Sequence, residues 1–158
     1  MATSKPLAVR VLEQRKIPHR VFAFDLSIRS AEEVARATGM PPETVFKTLV
    51  IEQDPPKGKP YLVMLPSTKE VDLSVLAAAL GDKKLRMATH ADAERHTGLQ
   101  VGGIGVLALL NRGFATFIDS SALACDEILV SAGQRGMDVS LGVADLLAVT
   151  GAKPIRTS

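Results

Sequence analysis

Two apolar runs, FKTLVIEQ at residues 46–53 and PYLVMLP at 60–66, are joined by the polar segment DPPKGKP. Prolines and a glycine between two such runs mark a connection, so the pair reads as a hairpin of two buried strands. Everything else in the chain must then pack against a sheet. Lys47 stands inside the first strand. In an extended run Val45, Lys47, Leu49 and Ile51 share one face, and Phe46, Thr48 and Val50 take the other. Both faces are otherwise apolar, which leaves the ammonium no solvated side to retreat to. Two readings are open. Lys47 either snorkels its head past the rim, or points into a cavity to meet an anion or a polarised oxygen. A buried lysine is costly unless paired, which makes Lys47 a site candidate.

Around the hairpin the chain alternates between short elements. Leu7, Val11 and Leu12 have helical spacing over residues 4–15. HRVFAFDL alternates as a strand, with Val21, Ala23 and Asp25 opposite Phe22, Phe24 and Leu26. Ser30 and Glu33 form a capping box for a helix stopped by Gly39. Asp72 is placed to cap LSVLAAALG, which Gly81 ends. KKLRMAT, ATFIDS and EILVSAG read as strands, HADAERHTG as a short helix, and QRGMDVS as a turn and a short strand. Ser140 is the expected cap of the final helix, LGVADLLAVTG, with Gly151 as its stop. Six or seven short strands mixed with four or five helices give an α/β class with a mixed, curved sheet; strict βαβ alternation is missing.

The 158 residues predict one domain over 1–158, with 46% apolar and 23% charged residues. There is no Trp and one Tyr, so aromatic platforms for single-stranded nucleic acid are not expected as the main device. A net charge of +2 permits phosphate contact without the basic footprint of a duplex binder, and no DNA partner is expected. Cys125 is the only cysteine, which excludes an internal disulfide. With neither a leader-like apolar stretch nor a membrane-length run, the expectation is a soluble, cytoplasmic protein.

Three stretches bear on chemistry. In VGGIGVLA, Gly103, Gly105 and Ala108 have the spacing of a dinucleotide fingerprint, with Asp126 or Glu127 about 20 positions on. The flanks contradict it: the preceding ERHTGLQ is too polar for a buried strand and the following LALLNRG too short for the usual helix. A bulged strand, or a loop whose bare backbone lets a ligand approach, remains. In VSAGQRGMD, a hairpin turn with a solvated Arg135 competes with a pocket mouth bearing Ser131 and Asp138. His19, His90 and His96 lack metal-ligand spacing, and no G-x-S-x-G elbow or P-loop occurs. The KGK at 57–59 and KK at 83–84 read as solvated loop charges.

VFKTLV, ALGDKKLRMA, TGLQVGGI and ILVSAGQRGMDVSL, in this order, resemble the YbaK/ProX (EbsC) family of aminoacyl-tRNA deacylases, and most closely its YbaK-like Cys-tRNA(Pro) deacylase branch. The resemblance runs from the first helix to DLLAVTGA. It implies a YbaK-type α/β fold, a mixed, curved, barrel-like β-sheet surrounded by helices. It implies trans-editing: removal of a wrong small amino acid, cysteine first and alanine as the alternative, from tRNA(Pro). The implied catalytic residues are Lys47, Gly102 and Gly103, and the implied substrate-binding residues are Thr97, Ile104, Ser131 and Asp138. The partners would be the acceptor end of mischarged aminoacyl-tRNA and prolyl-tRNA synthetase, with no metal, no cofactor and no membrane. Lys47 would meet the terminal phosphate or ribose and hold the ester against the glycine loop. The sequence departs from the family where GGIGV replaces GGISP and TGL replaces TGY. Two other classes compete: a non-catalytic tRNA- or synthetase-binding module, and a nucleotide binder built on GGIGVLA.

Overall fold

The computed structural model describes residues 5–28 and 30–158. Residue 4, where the first helix was expected to begin, lies outside that range. The described elements, in order, are α1 (Leu7–Gln14), β1 (His19–Ala23), α2 (Ala31–Thr38), β2 (Phe46–Gln53), β3 (Tyr61–Pro66), α3 (Leu73–Leu80), β4 (Leu85–Met87) and α4 (His90–Thr97). After a glycine-rich loop follow β5 (Thr116–Asp119), β6 (Glu127–Gln134), β7 (Met137–Gly142), α5 (Val143–Thr150) and β8 (Lys153–Ile155).

Local chemistry sets most helix ends. Ser30 Oγ accepts the Glu33 amide at 3.1 Å, the N-cap half of the expected capping box, and donates to Glu33 Oε1 at 3.0 Å. Asp72 Oδ1 accepts the Ser74 and Val75 amides at 3.0 and 3.1 Å. Ser140 does not cap α5. It lies inside β7, 1% exposed, and its hydroxyl has no partner among the described residues. Sheet pairing overrides the cap: Ser140 stands opposite Leu129 of β6 and Arg20 of β1, β7 continues to Gly142, and α5 begins only at Val143.

The strands form two sheets, one in the order β1-β7-β6 and one in the order β4-β2-β3-β5-β8. The hairpin is antiparallel, with Lys47 opposite Leu65 and Ile51 opposite Tyr61. The pairs β3–β5 and β5–β8 are parallel, so the mixed α/β class stands. The described strands do not close into a barrel. The two sheets meet at a single bridge, Val45 to Leu129. Farther along β6, backbone rather than another strand comes close: a Cβ on Gly105 would lie 2.5 Å from Ser131 O.

The lysine's neighbourhood follows from which helices cover β2. Phe46 and Val50 join the main core with Leu62, Met64, Ile118 and residues of α1 and α5. On the lysine's own face, Ile51 packs with Val63 and with Leu76 and Ala77 of α3. At the other end Val45 packs with Val34 and Ala35 of α2. Lys47 stands between these two covers.

Candidate active site

A cavity of about 600 Å³ opens at that gap. Its walls are β2 from Phe46 to Val50, the segment after β1 (Phe24, Leu26, Ile28), the loop after α4 (Val101, Gly102, Ile104) and the β6–β7 hairpin (Ser131, Arg135, Gly136, Asp138). Lys47, Gly102, Ile104, Ser131 and Asp138, separated by up to 91 positions in sequence, thus meet around one space. Thr97 and Gly103 are not on its wall. Among the described residues Lys47 makes no ion pair.

The β6–β7 hairpin sets the acid. Asp138 pairs with Ser131 on one side and Phe22 on the other, because β7 is the middle strand of its sheet. Burial pushes its carboxyl from 3.8 up to about 6. Ser131 Oγ accepts the Gly133 amide at 3.1 Å, which holds the irregular register between Ser131 and Gln134. Arg135 lies on the turn, with its Cγ 3.5 Å from where a Cβ on Gly102 would stand. The cavity thus has two cations, Lys47 and Arg135, one carboxyl that ionises reluctantly, and an apolar wall of Phe24, Leu26, Ile28 and Val34.

The glycine loop hangs from α4. Thr89 caps that helix by accepting the Asp92 amide at 3.1 Å, and Gly98 ends it. Thr97 is fully buried; its hydroxyl donates to Ala93 O at 2.8 Å and accepts the Leu99 amide at 3.1 Å. Its place is beneath the loop, out of reach of a ligand in the cavity. The Gly103 amide donates to Gln100 O at 2.8 Å. A Cβ on Gly103 would lie 2.6 Å from Arg135 N and 2.7 Å from Gln134 C, so this glycine is there to let the loop press on the hairpin turn. Gly102 adopts φ 94°, where side chains are strained. The dinucleotide reading finds no support: Gly103, Gly105 and Ala108 lie in a loop and a single 3-10 turn, Val106–Ala108.

Sequence reasoning missed three polar lining residues, Thr48, Ser67 and His90, and left Arg135 as a solvated turn residue. Only the QRG turn carried a signal. No cluster of three or more His, Cys, Asp and Glu suited to a metal occurs among the described residues. His96 instead meets Glu52 Oε2 at 3.0 Å, beside Arg86, whose Nε donates to Glu52 Oε1 at 3.0 Å. No helix of the described residues is long and apolar enough to cross a membrane.

Residues 26–149 match the family model of the aminoacyl-tRNA editing domain. The chain belongs to that family. A relative from Enterococcus faecalis, EbsC, assigned as a Cys-tRNA(Pro)/Cys-tRNA(Cys) deacylase, is 36% identical over 148 residues, covering 92% of this chain and 88% of that protein. The editing-domain chain is also 29% identical over 87 residues to a proline–tRNA ligase of Thermosipho melanesiensis, a match covering 54% of this chain and 14% of the ligase. A solved structure assigned as a trans-editing enzyme for prolyl-tRNA synthetase superposes with a TM-score of 0.81 at 26% identity, over 99% of this chain and all of the other.

Proposed function

We propose that this editing-domain protein is a trans-acting aminoacyl-tRNA deacylase of the cytoplasm that removes cysteine from mischarged tRNA(Pro), in concert with prolyl-tRNA synthetase. The observation that carries this reading is the convergence of Lys47, Ser131, Asp138 and Gly102 on one cavity in a chain so like EbsC. Residues 1–158 act as a single editing domain.

The chemistry asks little of the protein. An aminoacyl ester is reactive, and the acyl carbon needs positioning and a home for the oxyanion more than it needs a protein nucleophile. Lys47 and Arg135 meet the phosphate or ribose of the terminal nucleotide. Asp138, once ionised, accepts from the substrate's α-ammonium. The thiol sulfur of the cysteinyl group attacks its own carbonyl carbon. The ester C–O bond breaks, the ribose oxygen takes the thiol proton, and the amino acid leaves as a thiolactone. Negative charge on the carbonyl oxygen faces the loop amides of Gly102 and Ile104, which have no partner among the described residues. An alanyl ester has no thiol, so there a water must attack. Discrimination by a synthetase pocket that must exclude a smaller amino acid is worth only roughly 1–3 kcal/mol per methylene, so a second, separate pocket is needed.

The test is deacylation of tRNA(Pro) charged with cysteine, alanine or serine. The cysteinyl ester should be cleared fastest and prolyl-tRNA(Pro) left intact. Faster clearance of alanine would move the protein to the alanine-type branch. No clearance of any ester would leave a non-catalytic tRNA- or synthetase-binding module.

A further inference from the structure

The loop from Leu99 to Ile104 is held at every second amide. The Leu99 amide goes to Thr97 Oγ1 at 3.1 Å, the Val101 amide to Glu94 Oε2 at 2.9 Å, and the Gly103 amide to Gln100 O at 2.8 Å. Two of the three acceptors are side chains of α4, one exposed and one buried. The amides between them are left over. Of these, Gly102 and Ile104 belong to residues on the cavity wall. Each bond fixes the peptide plane that carries its amide, so the planes of 102 and 104 keep only the φ,ψ freedom left between held neighbours. Glycine at 102 and 103 would otherwise leave the segment unusually free.

We propose that Glu94 and Thr97 are positioning residues for deacylation, which hold the glycine loop so that the Gly102 and Ile104 amides stay unpaired at the cavity. This rests on the deacylase reading above. Neither side chain lines the cavity, and both act through the loop backbone. α4 in turn is anchored at the end that carries the loop: Arg112 Nη1 donates to Thr97 O at 3.0 Å, and His96 meets Glu52 on β2. The brace therefore ties the loop to β2, the strand that carries Lys47, and donors and lysine keep one spacing.

Glu94 is on the surface, so its variants keep the core intact. Glu94→Ala removes the acceptor; Glu94→Gln keeps an amide oxygen that can take the same bond. Two readouts separate the outcomes. In amide hydrogen exchange, Glu94→Ala should speed exchange at Val101 by about tenfold, the loss expected of a single hydrogen bond. Glu94→Gln should stay within about twofold to threefold of wild type. In deacylation, Glu94→Ala should lower kcat by about tenfold with KM nearly unchanged, since donors aimed at the oxyanion act on the transition state. Glu94→Gln should restore most of it, and Thr97→Val should show the same kcat-selective loss. Unchanged exchange at Val101, a loss confined to KM, or a Gln variant as poor as Ala would each overturn the proposal. Wild-type protein inactive on every ester would instead overturn the deacylase reading and the catalytic consequence with it, while exchange at Val101 still reports the brace by itself.

Discussion

Asp138→Asn should make the empty protein more stable at neutral pH while damaging its activity. Asp138 sits on the middle strand of its sheet, and burial lifts its carboxyl from 3.8 to about 6. The folded state therefore holds the proton more tightly than the unfolded chain does. The stability linked to that proton is fully present below 3.8 and is lost as pH rises through about 6. At 1.36 kcal/mol per pH unit, the gap between those values corresponds to about 3 kcal/mol by pH 7.5. Solvent in the open cavity screens part of this, leaving roughly 1–3 kcal/mol. Asparagine has nearly the same shape and no charge to desolvate. Urea unfolding of both proteins at pH 4.5, 6 and 7.5 measures the difference. The asparagine variant should gain on wild type as pH rises, with equal m-values. A difference flat with pH, or a variant less stable at 7.5 than wild type, would refute the reasoning. The same variant should lose deacylation, because a carboxylate kept charged at a cost is what the substrate's ammonium would meet.

Three further expectations follow from the same structure. Lys47→Ala should leave the unliganded protein as stable as wild type or slightly more so, and lower deacylation by roughly 100-fold, with Lys47→Arg a poor substitute; full activity in the alanine variant would reduce the lysine to a rim residue. Gly103→Ala must push its new Cβ from 2.6 Å to at least 3.4 Å from Arg135 N, about 0.8 Å of separation between loop and hairpin. That should cost roughly 1–3 kcal/mol in thermal or urea unfolding and cut turnover sharply. Gly98→Ala, with φ 73° and open space around it, should cost only backbone strain and leave turnover near wild type. Asp119, 3% exposed, accepts from Thr157 Oγ1 at 2.6 Å, from the Ser121 amide at 3.1 Å and from Lys69 at 3.3 Å. Burial raises its pKa, but the hydrogen bond from the Ser121 hydroxyl, followed by those from Thr157 and the Ser121 amide and the charge of Lys69, outweighs it and holds the carboxyl below its usual value. Its stability is present above 3.8 and is lost as pH falls through the lowered folded value, so Asp119→Ala should cost roughly 2–3 kcal/mol at pH 7 and flatten acid unfolding.

The sequence by itself determined whatever is settled within a few residues. The hairpin around DPPKGKP, the Ser30 cap on the Glu33 amide, the Asp72 cap and the glycine stops at 39, 81 and 151 appear where spacing put them. Each depends on hydrogen bonds or dihedrals that neighbouring residues supply. The oddity of Lys47 was also legible, because a lysine with apolar residues on both faces of a strand is improbable without a reason. Tertiary structure alone decided what lay across the chain. β8, three residues with a proline in the middle, exists only because β5 offers a parallel edge. Ser140 reads as a cap and becomes sheet, because pairing on both sides of β7 outweighs one local bond. Gly102 and Gly103 are neighbours with one pattern and two duties, since the hairpin turn presses on one and Arg135 lies along the other. Thr97 follows the same logic, turned inward by α4 to support the loop from below. The gap at Lys47 is the deepest case: α2 covers one end of its face and α3 the other, and no local pattern says where two helices will stop short of each other.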